Sequence, residues 1–215
     1  MRKTAIIRIG VSLGLAALVM GAKCPKIPET HEVEITLVTE EFVELLFEAR
    51  GSMNRDSSIE VINVAQLRQD LEDAGIETEL IKAMKVSKVE YGTVEYYEDD
   101  VDPGATDRSI VNAQVSLTRV DNSTSAVIVD GLSVDVYPLL GILKPVPTET
   151  AGIAFINDLL EDILDAIQHG GVSNFVVFGS SSGTSTPTER DSNFDWRVRI
   201  YYQIAGGMPT DVPEF

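Results

Sequence analysis

The chain has 215 residues, with 34 acidic and 17 basic side chains, a formal net charge of −17, 44% hydrophobic content and one cysteine. A surface this acidic repels nucleic acid and anionic lipid headgroups, which excludes a role in binding phosphate backbones. The length suits one good core or two small ones, the composition excludes a disordered or fibrous chain, and a single cysteine excludes an internal disulfide.

Arg2, Lys3 and Arg8 precede an apolar run from Ile9 to Met20, and Gly21, Ala22, Lys23 and Cys24 follow it. As a helix that run spans only about 18 Å, short of the ~20 residues needed to cross a hydrocarbon core, so it predicts an export signal and not a permanent anchor. The order resembles a bacterial lipoprotein signal peptide, in which the cysteine is lipidated and becomes the mature N-terminus. Lys23 departs from that pattern, which places Gly, Ala or Ser before the cysteine; cleavage after Gly21 or Ala22 is the competing expectation. The resemblance implies a signal over 1–23, lipidation at Cys24, a tether over 24–32 and membrane contact through the lipid alone. Loss of residues 1–23 removes Arg2, Lys3, Arg8 and Lys23 and no acid, leaving 192 residues of net charge −21.

A single β-rich domain is expected over 33–206, followed by a tail over 207–215. Val33, Ile35 and Leu37 alternate with polar residues and open it as a strand. Over 40–50 two patterns compete. Thr39 as N-cap, Glu40 and Glu41 in the first turn, Phe42, Leu45, Leu46 and Ala49 on one face and Gly51 as a stop predict a helix. The rival is a bulged strand with Val43, Leu45 and Phe47 on one face, and the cap signals favour the helix.

Residues 54–58 have the composition of a turn, Ile59 to Val64 of a short strand, and Ala65 to Ala74 of a helix closed by Gly75. Period-2 patterning from Ile81 to Tyr97 predicts a strand, and strands over Ile110–Val120 and Ala126–Val136 follow across turns, the last with a kink at Gly131. Together they suggest an antiparallel meander. Pro138, Pro145 and Pro147 mark an apolar stretch unsuited to a central strand. Ile153, Ile156, Leu159, Leu160, Ile163, Leu164 and Ile167 then recur at helical spacing, with Gly170-Gly171 as the stop. Phe175 to Phe178 and Trp196 to Ile204 are expected as strands joined by a polar loop over 179–188. The sum is a mainly β, β-rich α+β fold: an antiparallel sandwich-like domain with one long amphipathic helix packed on it.

No catalytic set stands out. His31 lies in the tether, and His169 ends the amphipathic helix, where an imidazolium complements the carbonyl end of the dipole. Gly179, Ser181 and Gly183 match G-x-S-x-G formally but lack the strand-to-helix turn of a nucleophile elbow. Asp99, Asp100, Asp102 and Asp107 surround Pro103-Gly104 and form a candidate calcium loop, similar to half of an EF-hand without its closing glutamate. Tyr97, Tyr201 and Trp196 are candidate ligand-stacking residues, since adjacent strand residues point to opposite faces and one of each aromatic pair must be exposed. These features predict an exported, non-enzymatic module in the cell envelope or outside the cell, with a structural or protein-binding role. A glycan- or apolar-ligand-binding domain is the first alternative, and a carboxylate-based hydrolase the second. Calcium is the one cofactor these residues suggest.

Overall fold

The computed structural model describes residues 35–51, 53–98 and 104–208. The strands are β1 (Ile35–Gly51), β2 (Met53–Asn63), β3 (Ile81–Tyr96), β4 (Ser109–Arg119), β5 (Ser125–Asp135), β6 (Lys144–Pro145), β7 (Asn174–Thr186) and β8 (Ser192–Met208). Two longer helices, α1 (Val64–Asp73) and α2 (Thr150–His169), complete the frame. One four-stranded sheet has the order β1-β8-β3-β6 and the other β2-β7-β4-β5, with antiparallel pairing throughout both. The fold is therefore the β-rich antiparallel sandwich with a packed amphipathic helix that the sequence predicts.

Residues 40–50 are strand and not helix. They sit inside the 17-residue β1, which pairs with β8 from Ile35↔Met208 to Gly51↔Ser192 without a register break. Leu45, Phe47 and Ala49 enter the core while Glu44, Leu46 and Glu48 face outward. The cap signals of the rejected helix are worth only about 1 kcal/mol, whereas burying even one large side chain contributes roughly 2 kcal/mol. The expected turn at 54–58 is strand as well, because β2 runs unbroken against β7. The reversal lies at Gly51, whose φ of 75° suits glycine and sends the chain from one sheet to the other. Asn63 then ends β2 and caps α1, its side chain accepting from the Gln66 amide at 2.9 Å.

β3 buries Met84 before a register shift between Val86 and Lys88, and Val89, Tyr91 and Thr93 after it. The bulge inverts which residues face inward, so a single period-2 phase does not describe this strand. The Asn157 side chain of α2 accepts the Val86 amide at 3.0 Å, satisfying the backbone at that irregularity. The expected meander is not formed. β3 has β8 and β6 as neighbours while β4 pairs with β5 and β7, so the connection between β3 and β4 crosses from sheet to sheet.

The polar segment 179–186 is the second half of β7, and only 187–191 connect it to β8. Val177, Gly179 and Ser181 point inward, Ser180, Ser182 and Thr184 outward. A Cβ on Gly179 would lie 2.9 Å from Leu45 Cδ1, so the two sheets approach closely there. α2 buries Ile156, Leu159, Leu160, Ile163, Ala166 and Ile167 along one stripe. Its first turn rests on β5, where a Cβ on Gly152 would meet the Val127 carbonyl oxygen at 2.4 Å. Near its C-terminus, Gln168 Nε2 donates to the carbonyls of Thr78 and Ile81 at 3.2 and 2.8 Å.

Candidate functional site

Between helix and sheets a gap of about 20 Å³ remains, lined by Val43, Leu117, Ile156, Val177, Ile200, Tyr202 and their neighbours. That is room for about one water molecule. Burial pushes the Tyr202 hydroxyl above its ordinary range, with Glu41 and Asp70 adding to the effect. Glu41 is raised in turn, first by burial and then by Asp70. Asp70 also accepts from Gln66 at 2.7 Å.

The candidate site residues that are described do not gather at one place. Cys24, His31, Asp99, Asp100 and Asp102 lie outside the described residues. Asp107 is hydrogen-bonded by Arg190, which holds its carboxyl below the usual carboxylate value. Among the described residues no three His, Cys, Asp or Glu side chains gather as a metal cluster would require. Trp196 is 2% exposed and stacks on Phe47 with ring centroids 4.9 Å apart, so it is a core residue and not a surface platform. Ser181 is buried in the middle of β7, with no elbow around it. His169 is exposed in the last turn of α2, its Nδ1 3.0 Å from Asp165.

Tyr97 and Tyr201 belong to the outer face of the β1-β8-β3-β6 sheet, where ring faces meet cations. Lys88 Nζ stands 4.2 Å from the Tyr201 ring centre, Arg199 4.5 Å from Phe42 and Arg50 5.5 Å from Tyr97. Glu44 accepts from Arg199 at 2.5 Å and lies 3.5 Å from Arg197, while Arg50 pairs with Asp195 at 2.6 Å. The Tyr97 hydroxyl donates to Glu95 and to Asp195, and the Glu95 hydrogen bond pushes its pKa up to about 12. Each of these rings carries a cation on one side.

The outer face of the other sheet differs in kind. Cross-strand register brings Ile59 beside Phe178 and Val61 beside Val176, with Thr118 next to Phe178 and Val120 hydrogen-bonded to Val176. Ile59, Val61 and Val120 are 63, 53 and 57% exposed. The adjoining row is Ser57, Ser180 and Ser116, then Ser182 and Gln114. Asp130, which accepts from Gln114 at 3.1 Å, is the carboxylate at its far corner. The sequence hid this face because its hydroxyl row lies in the segment that resembled a loop. The alternation of Phe178, Ser180, Ser182 and Thr184 with Gly179, Ser181 and Gly183 was the available signal.

At the opposite end of the sandwich Arg108 is fully buried, a role its sequence context does not announce. Its Nε donates to Glu98 at 2.7 Å, and its two terminal nitrogens to the carbonyls of Pro187, Arg190 and Asp191 at 2.6, 3.1 and 3.0 Å. Glu98 also accepts the Asn193 amide at 3.2 Å. One guanidinium thus neutralises a buried carboxylate and closes the connection between β7 and β8.

No protein-family model matches the chain, and no curated protein matches it in sequence. Among solved structures, one of Desmodium yellow mottle tymovirus is similar at 9% identity over 95% of this chain and 100% of that chain, with a TM-score of 0.24. A structure of empty head turnip yellow mosaic virus is similar at 9% identity over 93% and 94%, with a TM-score of 0.28. Neither likeness is close enough to carry an argument about this protein.

Proposed function

We propose that the protein is an exported, non-catalytic β-sandwich module of the cell envelope with a structural or protein-binding role. The observation that carries this reading is the outer face of the β2-β7-β4-β5 sheet, where Ile59, Val61 and Val120 stand exposed together in a chain of net charge −17. Solubility alone favours charge at such positions, and a contiguous apolar patch on a sheet is a common mark of protein contact. The packed junction around Ile156 and Tyr202 supports it against a ligand held beneath the helix. Export and a lipid tether at Cys24 rest on the N-terminal sequence.

A photo-crosslinking side chain at Val61, compared with one at Gln203 on the other outer face, tests the binding reading in cells. Protein adducts at Val61 and none at Gln203 are expected; no adduct at Val61 overturns it. Mass spectrometry of the mature N-terminus tests the tether. A diacylglycerol-modified Cys24 is expected, and an N-terminus at Ala22 or Lys23 would refute lipidation.

A further inference from the structure

The geometry points to a second copy of this chain as the occupant of that face, docked sheet to sheet around a two-fold axis. The inference rests on the protein-binding reading and names its partner. Charge makes the choice. Two molecules of net charge −17 oppose carboxylate to carboxylate over most of their surfaces. The patch of Ile59, Val61, Val176, Phe178, Thr118 and Val120 holds no ionisable group, so two copies meet there without stacking like charges or burying an unpaired one. A basic partner would be drawn to the acids elsewhere on the surface, and nothing on this patch would hold it.

Shape agrees with charge. The patch lies on a sheet, and sheets stack face to face at about 10 Å with the apolar side chains of each interleaved. A two-fold axis makes the contact isologous, so the same six residues serve both copies. Four strands are about 19 Å wide, and an eleven-residue strand is about 36 Å long, which gives a flat area of roughly 700 Å² per copy. Stable interfaces bury about 800 Å² per partner, and only the end of this face bearing Val61 and Val120 is apolar. The expected complex is a reversible dimer that forms in the micromolar range.

Sedimentation of the full-length chain over micromolar to millimolar concentration is the test, at about 0.05 and 0.5 M salt. The mass should rise from 23.4 kDa toward twice that value as concentration increases. Higher salt should strengthen the association several-fold, because it screens the repulsion between two acidic bodies and weakens no ion pair. I59K with V61K should weaken it at least tenfold with an unchanged far-ultraviolet circular dichroism spectrum. Q203K, which changes charge in the same direction on the other outer face, should not weaken it. A chain monomeric at every concentration and salt overturns the inference, as does a dimer indifferent to I59K with V61K. If the chain is monomeric while Val61 crosslinks to a different protein in cells, the second copy is wrong and the protein-binding reading stands. If Val61 yields no adduct either, both fall.

Discussion

The two outer faces of this sandwich are built on the same kind of antiparallel ladder and solve opposite problems. On the β1-β8-β3-β6 face, Glu44, Arg197, Arg199, Asp195 and Arg50 interlock, and cations sit over Phe42, Tyr97 and Tyr201. The segment after β5 also crosses it, with the Gly141 amide donating to the Thr93 carbonyl at 3.0 Å. On the β2-β7-β4-β5 face there are serine hydroxyls and exposed aliphatic side chains, with the Asp130 carboxylate at the far corner. The first face finds its partners within the chain, and the second has no cover over its most apolar end among the described residues. The difference teaches that acidity is a property of this chain's average and not of each of its surfaces.

The largest expected break in the comparison is at Gly92, where the crossing segment lies so close that a Cβ would stand 2.2 Å from the Ile142 carbonyl oxygen. Gly92→Val must lift that segment, since a backbone atom and not a side-chain tip is in the way. A loss of roughly 1–3 kcal/mol is expected from overpacking of this kind. Urea denaturation of the variant measures it, and an unchanged midpoint would mean that the crossing segment is not held against β3. A volume increase at an outward position of the other sheet should cost far less.

Glu44 is next. Its carboxylate serves both Arg197 and Arg199, and all three side chains are about four-fifths buried. Glu44→Ala leaves two largely buried guanidinium groups without their anion, at a cost of about 1–2 kcal/mol. The loss should shrink as salt screens the pairs. Equal losses at low and high salt would mean that packing and not charge holds this face together.

How far these faces were legible in the sequence follows from what sets each one. The fold class and α2 were readable because the stripe from Ile153 to Ile167 is long and regular, and burial depends on that period alone. Residues 40–50 were not, because Thr39 and Gly51 are good helix punctuation and only pairing with β8 outweighs them. The meander failed because adjacency in sequence does not say which sheet a strand joins. The charged ladder was half visible, since alternating Glu and Arg mark an outward strand face but not which acid meets which base. The neutral face was invisible for a simpler reason: serine, threonine and glycine carry the same composition in a loop and in β7. Arg108 gave no signal at all, because burial of a guanidinium depends on Glu98 and three carbonyls brought from distant chain.

Acid should release carboxylates that arginines hold at the ends of the sandwich, away from both outer faces. Arg190 lowers the Asp107 pKa and Arg119 lowers that of Asp121, in each case first through a side-chain hydrogen bond. A carboxyl whose folded pKa lies below its unfolded value of about 3.9 contributes stability above that value, and loses it as pH falls through the folded one. Asp121→Asn should therefore lower stability modestly at neutral pH and not at all in strong acid, so that the two stability curves converge below about pH 4. Curves that stay parallel into acid would show that the asparagine acts through shape and not through charge.

The smallest effect is expected where the comparison is most exposed to refutation. Ser180 lies between Ser57 and Ser116 on the neutral face, in register with both. If that row is a surface kept free of charge for contact, its hydroxyls face water and hold nothing, and Ser180→Val exchanges a poor strand former for a good one. The change in folding stability should fall within about 0.5 kcal/mol and in the stabilising direction. Were the serines instead hydrogen-bonded to one another across the strands, removing the middle hydroxyl would break two links and cost more than 1 kcal/mol. Denaturation of Ser180→Val, set beside Gly92→Val, decides between a face that stabilises the fold and one that the fold presents.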